Sequence, residues 1–94
     1  MSNYSLFYRM HAVQRMFERK IPVSSVSHAV RSGETIEDYS AEMAQPGRLI
    51  LGFHGKRPLH VVVSEDPKAG EITVITVYIP DLDRWDRQFK SRRP

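Results

Sequence analysis

The sequence predicts an α+β fold in which two N-terminal helices pack on a four-stranded antiparallel sheet and a short C-terminal helix follows. Two observations predict this fold. Apolar residues recur at helical spacing in the first third of the chain, and short runs rich in β-branched residues alternate with turn signals in the second half. With 94 residues, 40% hydrophobic and 27% charged, the chain has the size and composition of one domain. We expect its core within residues 5–90 and a frayed basic tail over residues 91–94.

The first predicted helix runs from about Ser5, which can serve as its N-cap, to Arg19. The residues expected to form its core-facing stripe are Leu6, Met10, Val13 and Phe17. A second helix is predicted over Ser24–Ser32, with Gly33 in the left-handed position past its end. Its apolar face consists of Val26, Ala29 and Val30.

Four strands follow in the prediction, after which Pro80 opens a C-terminal helix with apolar positions at Leu82, Trp85 and Phe89. Ser40–Gly47 is predicted to be a loop because Pro46-Gly47 is a turn signal. The predicted strands are Glu34–Tyr39, Arg48–Phe53, Leu59–Glu65 and Glu71–Ile79.

Symmetric turns between the last three strands predict which residues face the core. Such turns place Leu51 opposite Val61 and Val61 opposite Ile75, and a one-residue slip would expose most of the apolar pairs. The full set of predicted pairs is Phe53–Leu59, Leu51–Val61, Leu49–Val63, Leu59–Val77, Val61–Ile75 and Val63–Thr73. The opposite face then carries Gly52, His60, Thr76 and Tyr78, together with the apolar residues Ile50, Val62 and Val74. We expect Gly52 to leave space beside the imidazole, and expect the C-terminal helix, a partner protein or a substrate to cover this half-apolar face.

His60 is the most conspicuous polar residue in an apolar run, and Tyr78 is expected to be its diagonal neighbour. Imidazole titrates near neutral pH, so His60 is a candidate general acid or base. The structural alternative is a histidine satisfied by Tyr78 or by a backbone group, and the sequence leaves both open.

His11 and Arg15 lie one turn apart on the first predicted helix, with Arg19 one turn further. They form either a phosphate clamp, because arginine donates to two oxygens at once, or an ordinary solvated face. Lys56 and Arg57 fall in a predicted turn, where they contact phosphates or simply face water.

Several classes of site are disfavoured or excluded. The chain has no cysteine, which excludes disulfides and cysteine nucleophiles, and its four histidines lack metal-binding spacing. No nucleotide-binding loop is present, so neither a metal nor a cofactor is predicted. No apolar run approaches the length of a membrane span, and the N-terminus does not resemble a secretory signal. We therefore expect a cytoplasmic protein that does not engage a membrane.

Positive charge is concentrated in three segments, residues 1–20, 46–60 and 82–94, each with a net charge of +3. Such a distribution favours a polyanionic partner, above all RNA for a small domain. A mixed-charge solvated surface is the alternative.

The segment His11–Ile21 resembles the "H-A-x-x-R-M-x-E-R-x-I" opening of a bacterial and archaeal family, domain of unknown function 4258. The resemblance implies a small metal-independent ribonuclease fold of the group that includes RelE-like toxins, colicin nuclease domains and barnase. It also implies a toxin component encoded beside a small antitoxin protein. Matched by motif, the implied site residues are His11, Arg15, His60 and Tyr78, and Arg19 also matches. The resemblance continues through Gly33–Tyr39, Leu49–Gly52, Pro58–Val63, Ile75–Asp81 and Trp85, and leaves the basic C-terminal tail outside.

Two functional hypotheses result. The first is an endoribonuclease that cleaves RNA by attack of the 2′-hydroxyl, with His60 as base or acid and His11 or Tyr78 as the complementary group. Arg15 would bind the scissile phosphate, while Arg19, Lys56 and Arg57 would bind flanking RNA. The second is a non-catalytic interaction module, or an inactive member of the fold, that binds a partner or a second copy through Ile50, Val62 and Val74.

Overall fold

The computed structural model describes residues 4–41 and 46–94, and it shows an α+β fold with two helices and one five-stranded mixed sheet. The strand order is β1-β5-β4-β3-β2. The fold class and the two helices are confirmed, whereas the four-stranded, purely antiparallel sheet is wrong. The predicted loop Ser40–Gly47 lies partly outside the described residues. The elements are β1 (Ser5–Tyr8), α1 (Met10–Arg19), α2 (Val23–Ser32), β2 (Glu34–Asp38), β3 (Gly47–His54), β4 (Arg57–Asp66) and β5 (Glu71–Tyr78).

The additional strand is β1, which was predicted to be the first turn of the first helix. It pairs parallel with β5, placing Leu6 opposite Ile72 and Tyr8 opposite Val74. Leu6 and Tyr8 pack against the core, because they are alternate residues of a strand with one buried face. Helix α1 therefore starts only at Met10, and no side chain caps it.

The late start of α1 also changes which of its sides is buried. Ala12 and Met16 are buried against the sheet, whereas Val13 and Phe17, predicted to face the core, are exposed, as is Met10. The small side chain of Ala12 lets the helix approach the sheet closely. Lys20 ends the helix in a left-handed conformation, with φ of 56°.

Helix α2 agrees with its prediction and buries Val26, Ala29 and Val30. Gly33 follows it, but its φ of −74° is an extended conformation rather than the predicted left-handed one. Gly52 on β3 lies directly beneath this helix, where an added Cβ would be 2.4 Å from the Cβ of Ala29. The predicted open space at Gly52 is thus occupied by α2, on the helix-covered face of the sheet.

The predicted register of β3 is wrong by one residue. The turn contains only two residues, Gly55 and Lys56, and Gly55 at its first position has φ of +62°. Leu51 consequently lies opposite His60, and Ile50 lies opposite Val61. This shift exchanges the faces of β3, because successive side chains point to opposite sides of a sheet.

The β4–β5 pairing contains a bulge, which the prediction lacked. Val62 lies opposite Thr76 and Val63 opposite Val74, so Ile75 is an extra residue on β5. Val74 and Ile72 therefore join the helix-covered core in place of Ile75 and Thr73. Above the bulge, His60 lies directly opposite Tyr78 rather than diagonal to it.

The face of the sheet opposite the helices is called the outer face here. It carries Leu49, Leu51, His60, Val62, Thr76 and Tyr78. The segment Pro80–Pro94 crosses and covers this face. It does so in turns, so the predicted C-terminal helix is wrong. The carboxylates of Asp81 and Asp86 accept backbone N–H groups, which stabilises these turns in competition with a helix.

Candidate functional site

His60 is fully buried on the outer face, with both ring nitrogens hydrogen-bonded. Its Nε2 lies 2.8 Å from the backbone carbonyl oxygen of Phe89. A carbonyl only accepts, so Nε2 carries the proton. Nδ1 therefore accepts from the hydroxyl of Tyr78, 3.1 Å away. The predicted proximity of His60 and Tyr78 is present in the structure, with the imidazole fully buried and Tyr78 partly exposed.

Aromatic rings enclose this imidazole. Trp85 contacts it edge to face with ring centroids 4.3 Å apart, and Tyr78 does so at 5.1 Å. Burial lowers the pKa of His60 and raises the pKa of Tyr78. At neutral pH the pair is thus a neutral imidazole and a protonated phenol, a proton acceptor beside a proton donor.

A second polar cluster lies beside the first and consists of Glu37, Tyr39 and Arg92. Arg92 donates to both oxygens of Glu37, at 2.9 and 3.2 Å, and its guanidinium lies 4.7 Å from the Trp85 ring centroid. The Tyr39 hydroxyl donates to Glu37 at 2.5 Å. Hydrogen bonding to Arg92 lowers the pKa of Glu37, and burial together with Glu37 raises the pKa of Tyr39 to about 12. This cluster ties the end of the chain to β2.

An open cleft of about 360 Å³ adjoins Tyr78 and Trp85, the two aromatic residues that contact His60. Tyr78, Trp85, Arg84 and Arg92 line it, together with Ile79, Pro80 and Asp81. In the part of the chain that the structure describes, Arg84 forms no ion pair. The cleft therefore offers an available guanidinium next to a phenol, a combination suited to an anionic group such as phosphate.

The structure does not bring His11 and Arg15 to this site. Both are exposed on α1, which covers the opposite face of the sheet, and Arg15 pairs with Glu18 at 3.1 Å. The sheet therefore separates them from His60 and Tyr78. A four-residue cluster of His11, Arg15, His60 and Tyr78, which the sequence prediction needed, does not form.

The predicted RNA-binding residues do come together. Arg57 donates to the backbone carbonyl of Arg19 at 2.6 Å, which joins the end of α1 to the β3–β4 turn. Lys56 is exposed in that turn. Arg19, Lys56 and Arg57 thus form one basic patch beside the helix-covered side of the sheet.

The sequence analysis predicted no site role for Glu37, Tyr39, Arg84 or Arg92. Glu37 and Tyr39 have the i, i+2 spacing of residues on one face of a strand, which was an available signal. No sequence pattern predicts the position of Arg92, because that position depends on how an irregular segment folds across the sheet. Among residues 4–41 and 46–94, no three His, Cys, Asp or Glu side chains are placed to share a metal ion.

Comparison with known proteins identifies the family. Residues 8–79 match the profile of a family described as a domain of unknown function, DUF4258. The chain belongs to the DUF4258 family. No curated protein and no solved structure matches it. The resemblance recognised in the sequence is confirmed at the level of the family, and the ribonuclease likeness stays a prediction.

The boundary of the DUF4258 match divides the candidate site. The match includes His60 and Tyr78 and ends at Ile79, before the segment that carries Trp85, Phe89 and Arg92. Trp85 and Phe89, which contact His60, are thus supplied from outside the matched region. Neither described helix has the length and hydropathy needed to cross a bilayer.

Proposed function

We propose that this DUF4258 protein is a metal-independent endoribonuclease whose site is the His60–Tyr78 pair on the outer face. The observation that carries the proposal is a neutral imidazole hydrogen-bonded to a protonated phenol beside a cleft containing Arg84. His60 is a fully buried polar residue, and a titratable pair with shifted pKa values next to a cleft is a candidate site.

RNA suits this arrangement because its 2′-hydroxyl is an internal nucleophile. In the proposed reaction the 2′-oxygen bonds to phosphorus, and the bond from phosphorus to the 5′-oxygen breaks, which leaves a 2′,3′-cyclic phosphate. His60 accepts the proton of the 2′-hydroxyl and Tyr78 donates a proton to the departing 5′-oxygen. Arg84 stabilises the negative charge that develops on the phosphoryl oxygens. The basic patch of Arg19, Lys56 and Arg57 would hold flanking RNA.

The proposal requires the end of the chain to open. In the closed arrangement Nε2 of His60 is bonded to Phe89, so RNA cannot reach it. Residues 86–94 are held across the site by Arg92 on Glu37, by Lys90 on Glu34, and by Arg93 Nε, which donates to the carbonyl of Trp85 at 2.9 Å. Movement of these residues alone would release Nε2 and leave Arg84 in place. Without the Phe89 carbonyl as partner, the imidazole proton shifts to Nδ1, which then donates to the Tyr78 oxygen. Nε2 is then the free acceptor for the 2′-hydroxyl proton, and the phenol proton is free for the 5′-oxygen.

The test is cleavage of a mixed-sequence RNA by the purified full-length chain in EDTA. We expect slow cleavage by the parent chain and faster cleavage by Arg92→Ala. Adding His60→Asn or Tyr78→Phe to Arg92→Ala should lower the cleavage rate by about 10²-fold or more relative to Arg92→Ala alone. His11→Ala and Arg15→Ala are the matched controls and should retain activity, since the sheet separates them from His60. Products should end in a cyclic phosphate.

Two results would contradict the proposal. One is the absence of cleavage by both the parent and Arg92→Ala when circular dichroism shows both folded. The other is cleavage that His60→Asn leaves unchanged. Loss of activity in His11→Ala or Arg15→Ala with His60→Asn active would instead place the chemistry on α1.

The second hypothesis, a non-catalytic interaction module, was predicted from a patch of Ile50, Val62 and Val74. The structure removes that patch, because Ile50 and Val74 are buried beneath the helices and only Val62 lies on the outer face. An antitoxin partner remains a prediction.

A further inference from the structure

Helix α1 presents an apolar stripe to solvent, formed by Met10, Val13 and Phe17. These side chains are 72%, 45% and 85% exposed and lie at i, i+3 and i+7, on one side of the helix. The burial of Ala12 and Met16 fixes the helix, so the stripe cannot turn inward without exposing them. Single exposed apolar residues are ordinary, but a contiguous set on one short helix marks an interaction surface.

Free positive charge flanks the stripe at both ends. Arg9 precedes α1 and Lys20 ends it, and both are exposed. Within the described ranges neither forms an ion pair, whereas Arg15 on the same helix is paired with Glu18. At a rise of 1.5 Å per residue, the two cations are about 16 Å apart along the helix axis.

We infer that this stripe binds an amphipathic helix of an acidic protein partner. Its apolar side chains pack on Met10, Val13 and Phe17, and two of its carboxylates, about three turns apart, reach Arg9 and Lys20. A second copy of this chain fits less well, because it would bring the same basic helix ends to the interface. A membrane surface also fits less well, since three apolar residues on a ten-residue helix bury little area in lipid. The inference is independent of ribonuclease activity.

The test uses labelled helical peptides that share one apolar spacing and carry Glu, Gln or Lys at the flanking positions. Fluorescence anisotropy with the full-length chain should show the Glu peptide binding about tenfold or more tightly than the Lys peptide. Met10→Ser with Phe17→Ser should abolish this binding without lowering the melting temperature. Leu82→Ser is the control, an apolar residue elsewhere that is 51% exposed, and should leave binding unchanged. Arg9→Glu with Lys20→Glu should reverse the preference towards the Lys peptide.

Four outcomes would overturn the inference. The first is that no peptide binds, and the second is that the Glu and Lys peptides bind equally. The third is that the chain sediments as a dimer, which the double variant Met10→Ser with Phe17→Ser dissociates. The fourth is that the chain binds vesicles of anionic phospholipid through the stripe. The third would assign the stripe to a second copy of the chain, and the fourth to a membrane.

Discussion

Arg92 and Glu37 form a two-point ion pair between residues 55 positions apart in the chain. The pair fastens the last residues, expected from the sequence to be frayed, to the strand β2. Since Phe89 lies between Trp85 and Arg92, the same fastening holds the Phe89 carbonyl on His60.

Arg92→Ala should loosen residues 86–94 while changing global stability little. The Arg92 side chain is 60% exposed, so water screens the pair, and we expect a loss of about 1 kcal/mol or less in the free energy of unfolding. Hydrogen exchange at the amides of Phe89 and Arg93 should accelerate, because both donate within this segment. Lys90→Ala removes a one-point pair between the same segment and Glu34 on β2, so it should accelerate exchange less than Arg92→Ala. Unchanged exchange in Arg92→Ala would show that Trp85 packing alone holds the segment.

Stability should fall as pH decreases below the ordinary pKa of histidine, 6.5, because burial lowers the pKa of His60 in the folded chain. Between the lowered native pKa and 6.5 the unfolded state binds more protons, so the free energy of unfolding rises with pH. Urea titrations from pH 7 down to about 5 should show this slope. His60→Asn should reduce it, and His11→Asn, which alters an exposed ring, should not. Equal slopes in both variants would contradict the prediction.

Gly52→Ala should destabilise the fold by about 1–3 kcal/mol, because the new Cβ would lie 2.4 Å from the Cβ of Ala29 and must push α2 away. Ala29→Gly should be destabilising alone by about 1 kcal/mol, from its helix propensity. The double variant should lose less than the sum of the two. A double-mutant cycle by chemical denaturation measures this coupling, and strict additivity would refute the close contact.

Met16→Ala and Phe17→Ala should differ sharply although they are neighbours. Met16 is buried, and its truncation should lower the free energy of unfolding by about 2–5 kcal/mol. Phe17 is 85% exposed, so its truncation should change it by about 0.5 kcal/mol or less. If Phe17→Ala lowered the melting temperature more than Met16→Ala, the core-facing stripe predicted from the sequence would be the correct one.

The fold class, the position of α2 and the last three strands could be predicted, because periodicity reports them directly. The register could not be, since a two-residue turn at Gly55 and a bulge at Ile75 each shift a face by one residue. The strand β1 was missed because its four residues fit either a helical or a strand pattern. Pairing with the free edge of β5 favours the strand.

Only the part of the candidate site that lies on adjacent strands of the sheet could be predicted from the sequence. His60 and Tyr78 share a face by strand alternation, and that prediction is confirmed. The placement of His11 depended on which side of the sheet the helices cover. The burial of His60 by Trp85 and Phe89 depended on an irregular segment, whose path periodicity does not reveal.

The parallel pairing of β1 with β5 has a consequence for synthesis of the chain on the ribosome. Ser5 lies opposite Glu71, so β1 must wait for a partner made about 66 residues later. At ordinary translation speeds that delay is on the order of 3–13 seconds. During this interval Leu6 and Phe7 are in the nascent chain without their sheet, where holding chaperones can bind them, and β1 can dock only after β5 has been made.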